Sequence, residues 1–231
     1  MFSAFYDALY LNFVKDDRWH YLTNGLKVTL IVTLFSALMG VVLGFVVAII
    51  RSTYENTGRM KIANKLCGLY LTVIRGTPVV VQLMIIYFVI FASVRIDKTL
   101  TAIIAFGINS GAYQAEIFRS GINSVPKGQF EAGRSLGFNY GQTMVHIIMP
   151  QAFRVVVPTL CNEYITLLKE TSVAGYIALE DLTKGGDIIR SRTYSAFLPL
   201  IAVALIYLIM VLALTKLVSV LERRLSRGTR R

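Results

Sequence analysis

Charged side chains are scarce in this sequence. Only 16% of its 231 residues are Asp, Glu, Lys or Arg, against 55% apolar, and the mean hydropathy is +0.61. Soluble domains carry roughly a quarter charged residues, and here the apolar residues gather into long runs instead of alternating with polar ones, so a water-facing fold is excluded. Histidine and cysteine are nearly absent too, with two of each. His20 and His146 fall near the ends of apolar runs, where neither serves a buried serine or a metal, so no catalytic or metal-binding residue is expected. Cys67 and Cys161 make neither a disulfide framework nor a zinc site and read as small apolar groups. There is no Gly-x-x-x-x-Gly-Lys-Ser/Thr phosphate loop, and the N-terminus lacks the basic start and small-residue cleavage site of a signal peptide. The first span is therefore expected to be its own insertion signal, and no cofactor is expected on this chain.

What is present is a set of apolar runs long enough to cross a bilayer, which takes ~20 helical residues. The fold class read from them is all-α, a polytopic transmembrane bundle of about five spans. Residues 1–21, with Phe5, Tyr6, Leu9, Tyr10 and Phe13 at helical spacing and Trp19-His20-Tyr21 behind them, read as a helix lying in the membrane interface. Residues 22–221 form the transmembrane domain. Span one, 28–50, contains no charge. Span two, 62–94, is read as one broken, re-entering span interrupted at Arg75-Gly76-Thr77-Pro78, since proline interrupts a helix, with two separate spans as the alternative. Span three is 99–115, a loop of 116–146 follows, span four is 147–168 and span five 195–215.

The formal charge of +11 would suit nucleic acid, but the basic residues lie between apolar runs and at the C-terminus, so no nucleic-acid partner is expected. Their distribution after span one, after span three and in the tail 222–231 (Glu222, Arg223, Arg224, Arg227, Arg230, Arg231) places those segments in the cytoplasm and the N-terminus outside. Lys184, Arg190 and Arg192 run against that rule in an outer segment that also holds Glu180, Asp181 and Asp187.

The loop after span three contains Glu131-Ala132-Gly133, three residues, Gly137, nine residues, and Ile147-Ile148-Met149-Pro150. Its spacing predicts a short helix over 127–137, stopped by Gly137, and re-entry into the membrane at Pro150. This pattern resembles the signature loop of ABC importer membrane subunits, with Gly133 in place of the family's second alanine and Met149 in place of its leucine. Asn24-Gly25-Leu26-Lys27-Val28-Thr29-Leu30, Arg75-Gly76-Thr77-Pro78, Asn109-Ser110-Gly111-Ala112-Tyr113 with Ala115-Glu116, and Leu168-Lys169-Glu170-Thr171-Ser172 are similar to stretches of the polar-amino-acid permeases, the histidine, arginine and glutamine type. The resemblance implies a type I importer permease, a non-catalytic multi-pass subunit in a prokaryotic plasma (inner) membrane. It implies four kinds of partner: a nucleotide-binding ATPase subunit carrying ATP and Mg, a second permease subunit, an extracytoplasmic solute-binding protein and the lipid bilayer. It also assigns Glu131, Ala132, Gly133, Gly137 and Pro150 to coupling with the ATPase.

Ionisable groups at membrane depth tend to face a bundle interior or a wet cavity. In span four Thr159, Asn162, Glu163 and Thr166 recur at three- and four-residue spacing and predict one inward polar face. Together with Asn109 and Tyr113 of span three, the residues Asn162, Glu163 and Thr166 are expected to line a path for a zwitterionic amino acid, against the plainer reading of Glu163 and Arg154 as structural ion-pair residues. Gly40 to Gly44 and Gly107 to Gly111 are small-x-x-x-small pairs, expected at close helix contacts inside one subunit or between two. A secondary amino-acid transporter or channel not driven by ATP is the alternative function; it leaves the signature loop unexplained, and no repeated halves are visible.

Overall fold

The computed structural model describes residues 2–227, and every element among them is helical. The elements are α1 (Phe2–Leu9), α2 (Trp19–Thr57), α3 (Lys61–Arg75), α4 (Val79–Ile85), α5 (Lys98–Asn123), α6 (Lys127–Ser135), α7 (Tyr140–Thr143), α8 (Met149–Glu170), α9 (Leu182–Thr193) and α10 (Phe197–Arg227). Single π turns follow α1, α4 and α7, and a 3-10 stretch, Thr171–Ile177, follows α8.

Three stretches are long and apolar enough to cross a membrane: Trp19–Thr57, Tyr140–Ile177 and Phe197–Arg224. The pair Lys61–Arg75 and Val79–Ile90 passes the same test jointly, its halves meeting at 107°. The two halves pack at different levels of the bundle. Leu71 of α3 clusters with Val47 of α2 and Ala112 of α5, whereas Leu83 and Ile86 cluster with Val32 of α2 and with Ala102 and Phe106 of α5. Helix α5, 26 residues and so ~39 Å long, runs beside these stretches without being apolar enough to count among them. It is less apolar than the others because it runs through the middle of the bundle, where Thr101, Asn109, Ser110 and Gln114 meet protein and not lipid.

Lipid tails are as apolar as a protein core, so helices in a bilayer gain from close packing more than from burial. Here the two glycine pairs supply that packing inside one subunit. A β-carbon added to Gly44 would come within 2.8 Å of the Ala115 backbone nitrogen, one on Gly40 within 2.7 Å of Gln114 Nε2, and one on Gly107 within 2.8 Å of Met39 Sδ. The two backbones consequently approach along most of the α2–α5 contact.

Several sequence-derived boundaries shift. Residues 1–21 are not one helix: α1 ends at Leu9, and Trp19-His20-Tyr21 form the first turn of α2. Between them Asp16 and Asp17 adopt left-handed φ of 56° and 52°, and buried Arg18 ties the bend together by donating to the Leu11 carbonyl (2.6 Å) and to Asp16 (2.7 Å). Helix α5 continues to Asn123, beyond the expected end at 115, because Phe118 and Ile122 stay buried while the charges that suggested a loop, Glu116 and Arg119, pair at 3.1 Å on one helix face. The segment between α8 and α10 contains α9, which buries Leu182, Gly185, Gly186 and Ile189. Residues 222–227 extend α10; Arg230 and Arg231 lie outside the described residues.

Candidate functional site

The segment between α5 and α8 builds a small platform at one end of the bundle. Phe130 of α6 packs on Ile122, Val125, Met144 and Ile148, and buried Gly133 faces Thr143 and Ile147. Glu131, Ala132, Arg134 and Ser135 remain exposed, and Leu136, 73% exposed, follows them. Gly137 ends the helix at φ 83°; its N–H donates to the Arg134 carbonyl (2.9 Å) and that of Phe138 to the Gly133 carbonyl (3.1 Å), the Schellman arrangement that satisfies the last carbonyls. Nothing surrounds the position a Gly137 β-carbon would take, so the backbone angle and not space requires glycine there.

Asn139 then caps α7. Its side chain accepts from the Gln142 N–H and its own N–H donates to Gln142 Oε1, both at 2.9 Å, which closes a capping box. The platform is joined to α2 by the Ser52–Tyr140 hydroxyl pair at 3.4 Å. Pro150 stands in the first turn of α8, directly after the π turn Met144–Ile148.

The expected pathway residues are not brought together as one face. Asn109 is 3% exposed and donates through Nδ2 to Gln82 Oε1 at 3.0 Å. Gln82 Nε2 in turn donates to the Ile74 carbonyl (2.8 Å), the Thr77 carbonyl (3.0 Å) and Thr77 Oγ1 (2.7 Å). These are acceptors freed where span two breaks, so Asn109 props the break from behind. Tyr113, by contrast, is 37% exposed and has the Arg75 guanidinium 5.6 Å from its ring centre.

On α8, Thr159, Asn162 and Thr166 point away from the subunit's own interior and are exposed, while Glu163 is half-buried. Both threonine hydroxyls donate to carbonyls of their own helix, Val155 at 3.0 Å and Asn162 at 3.3 Å, as isolated threonines in apolar helices do. An expectation of one inward polar face within the subunit is thus corrected: the α8 stripe is polar and open, because the inner side of α8 is occupied by Ala152, Val156, Ile165 and Leu168. Sequence reasoning missed Gln82, whose signal was a lone amide inside the apolar run 79–94.

The other stretches noted in the sequence are helix joints. Gly25 allows α2 to lie on Asp181, where a β-carbon would come within 2.5 Å of the carbonyl oxygen, and Thr29 Oγ1 accepts from the Leu182 N–H at 3.1 Å. The Thr171 and Thr33 hydroxyls meet at 3.3 Å. Asp181 caps α9 by accepting from the Thr183 (3.3 Å) and Lys184 (3.0 Å) N–H groups, and burial pushes its carboxyl up to about 6. Cys67 and Cys161 are half-buried and unpaired.

Three long apolar helices, a bent helix pair and a capped surface helix before α8, gathered around α5, are the build of a permease-type membrane subunit. The match is close to an amino acid ABC transporter solved with histidines: TM-score 0.83, 38% identity, covering 91% of this chain and 97% of that one. The methionine ABC transporter MetNI in an inward-facing form shares the fold at TM-score 0.76 and 21% identity over 90% of this chain and 97% of that one. Among curated proteins, the L-cystine transport system permease protein of Bacillus subtilis is 37% identical over 95% of this chain and 93% of its own length. The arginine transport system permease protein of the same organism is 39% identical over 89% and 92%. The chain belongs to the family of binding-protein-dependent transport system inner membrane components, whose model matches residues 40–230.

Proposed function

We propose that this chain forms the translocation pathway of an ATP-driven importer for a polar amino acid in a prokaryotic plasma membrane, with its N-terminus outside and α6 in the cytoplasm. The observation that carries the reading is the build of α6: a helix capped at Gly137, fixed to the bundle through Phe130 and Gly133, with Glu131, Ala132 and Leu136 left bare. An unpartnered, rigidly mounted helix at the end of a bundle suits docking into a separate ATPase subunit that holds ATP and Mg. Hydrolysis there would move α6, and through the adjoining π turn, Met144–Ile148, would move α8. Gly133 and Pro150 set the mounting, while Glu131, Ala132 and the Gly137 terminus form the contact.

The open polar stripe of α8, with Asn162, Glu163 and Thr166, and the exposed Tyr113 face the position of a second permease subunit, identical or homologous. The path then runs between the two subunits, not within one. Cystine, arginine and glutamine, the cargoes that the relatives' names carry, share an ammonium and a carboxylate and differ in side chain. An outer solute-binding protein delivers the substrate.

The test is purification of the tagged chain from native membranes, followed by ATP hydrolysis assays with a panel of amino acids and the matching binding protein. A co-purifying ATPase stimulated by one amino-acid class is expected. A chain that comes alone and supports gradient-driven uptake in liposomes would overturn the reading in favour of a secondary transporter.

A further inference from the structure

The break in span two is held on its two sides by different kinds of interaction. Toward α4, the buried amides of Gln82 and Asn109 grip it with neutral hydrogen bonds of 2.7–3.0 Å, the innermost between the two amides and the outer ones reaching Ile74 and exposed Thr77. Toward α6 it is held by a chain of charges. Arg75, the last residue of α3, lies 3.7 Å from Glu116 Oε1. The other oxygen of Glu116, Oε2, accepts from Arg119 Nε (3.3 Å) and Nη2 (3.1 Å), and Arg119 Nη1 reaches Glu55 Oε1 at 3.3 Å near the end of α2. Side-chain exposures in this chain are 27–43%, so each pair is screened by water and adds little to stability. Glu116 is the only member with two arginine partners, one on each oxygen, and Arg119 spans two carboxylates with its fork, which a point charge cannot do.

We propose that Glu116 and Arg119 are positioning residues of the translocation pathway. They tie the break at Arg75-Gly76-Thr77-Pro78, beside Tyr113, to the α2 terminus next to the α6 platform. The loose, wet side of the break is then the side that lets go during the transport cycle, while the buried amide side stays closed. This inference rests on the importer reading above, because it requires an ATPase whose activity reports the state of the pathway.

The experiment is a double-mutant cycle on the two ends of the chain, Glu55→Gln and Arg75→Gln, residues linked through Arg119 and Glu116. The complex of permease, ATPase and binding protein is placed in phospholipid nanodiscs, and ATP hydrolysis is read without substrate and with the stimulating amino acid. Each single substitution is expected to raise basal hydrolysis about threefold, the scale of losing one half-wet ion pair, and to lower the stimulation by substrate. The double variant should resemble the stronger single, since both cut one chain. Arg119→Lys should also raise basal hydrolysis; restoration of wild-type behaviour by lysine would mean that only a positive charge is needed and would overturn the proposal. So would multiplying effects in the double variant, basal rates unchanged in both singles, or loss of assembly, which would make the chain structural. A wild-type preparation without any ATPase overturns the importer reading instead.

Discussion

Gly133 lies flat against Thr143: a β-carbon on Gly133 would come within 2.7 Å of Thr143 Cγ2 and 3.0 Å of Ile147 Cδ1. Thr143 is 1% exposed and its hydroxyl is buried without a hydrogen-bond partner. The two residues fit together and set how far α6 stands from α7 and the π turn that follows it. Gly133→Ala is therefore expected to overpack this contact, at a cost of about 1–3 kcal/mol, and to lower amino-acid transport per ATP hydrolysed. Gly133→Ala combined with Thr143→Ala makes room and removes the unsatisfied hydroxyl; it should recover most of the thermal stability and most of the coupling. Equal defects in the single and double variants would sink the size-matching account.

At Gly137 the constraint is the backbone angle. A side chain at φ 83° costs about 1–2 kcal/mol. Gly137→Ala should loosen the end of α6 without touching its neighbours, seen as faster amide exchange of Gly137 and Phe138 and unchanged exchange in α5. Asn, which tolerates the left-handed region, should be milder. Uniform behaviour of Ala, Asn and Gly would show that the turn does not depend on φ.

Gln82→Leu keeps the volume of the side chain but strips the Ile74 and Thr77 carbonyls of their donor. It also leaves the buried Asn109 Nδ2 without its acceptor, at a cost of about 1–3 kcal/mol, so the variant should unfold at lower temperature in detergent, and Asn109→Ala on top of it should add little because the two act in one network. Full additivity would mean that Asn109 has another role, such as contact with substrate.

Asp181 gives a pH dependence. Burial raises its carboxyl from the usual acid range to about 6, so the folded state holds the proton more tightly than the unfolded chain does. The sign follows: ionised burial weighs against folding above about pH 6, and relative stability rises as pH falls from about 6 toward the unfolded value near 4, by on the order of 3 kcal/mol. Asp181→Asn keeps a cap acceptor and loses the titration. The melting temperature of wild type minus that of Asp181→Asn should thus increase from pH 8 to pH 5; a flat difference would show that the carboxyl is not desolvated.

The membrane class and most of the spans were legible in the chain itself. A run such as 28–50 crosses lipid because uncharged length is all the bilayer asks of it. The platform helix was legible as well, since Gly137 can take the left-handed φ that closes a helix through its own neighbours. Boundaries were less legible where charge is paired within a helix: Glu116 and Arg119 look like loop residues until their i,i+3 contact is seen. The 107° meeting of the two halves of span two lies beyond what a proline alone can announce.

Sequence by itself determined that this is a helical membrane protein with a structured loop between its third and fourth spans, because insertion and helix capping act through neighbouring residues. Tertiary structure decided which polar groups meet. Asn109 faces Gln82, Glu116 is shared by Arg75 and Arg119, and the α8 stripe is left open. These outcomes depend on the rotation of each helix about its own axis and on how closely glycine seams let the backbones approach, quantities that belong to the assembled bundle and to no single segment.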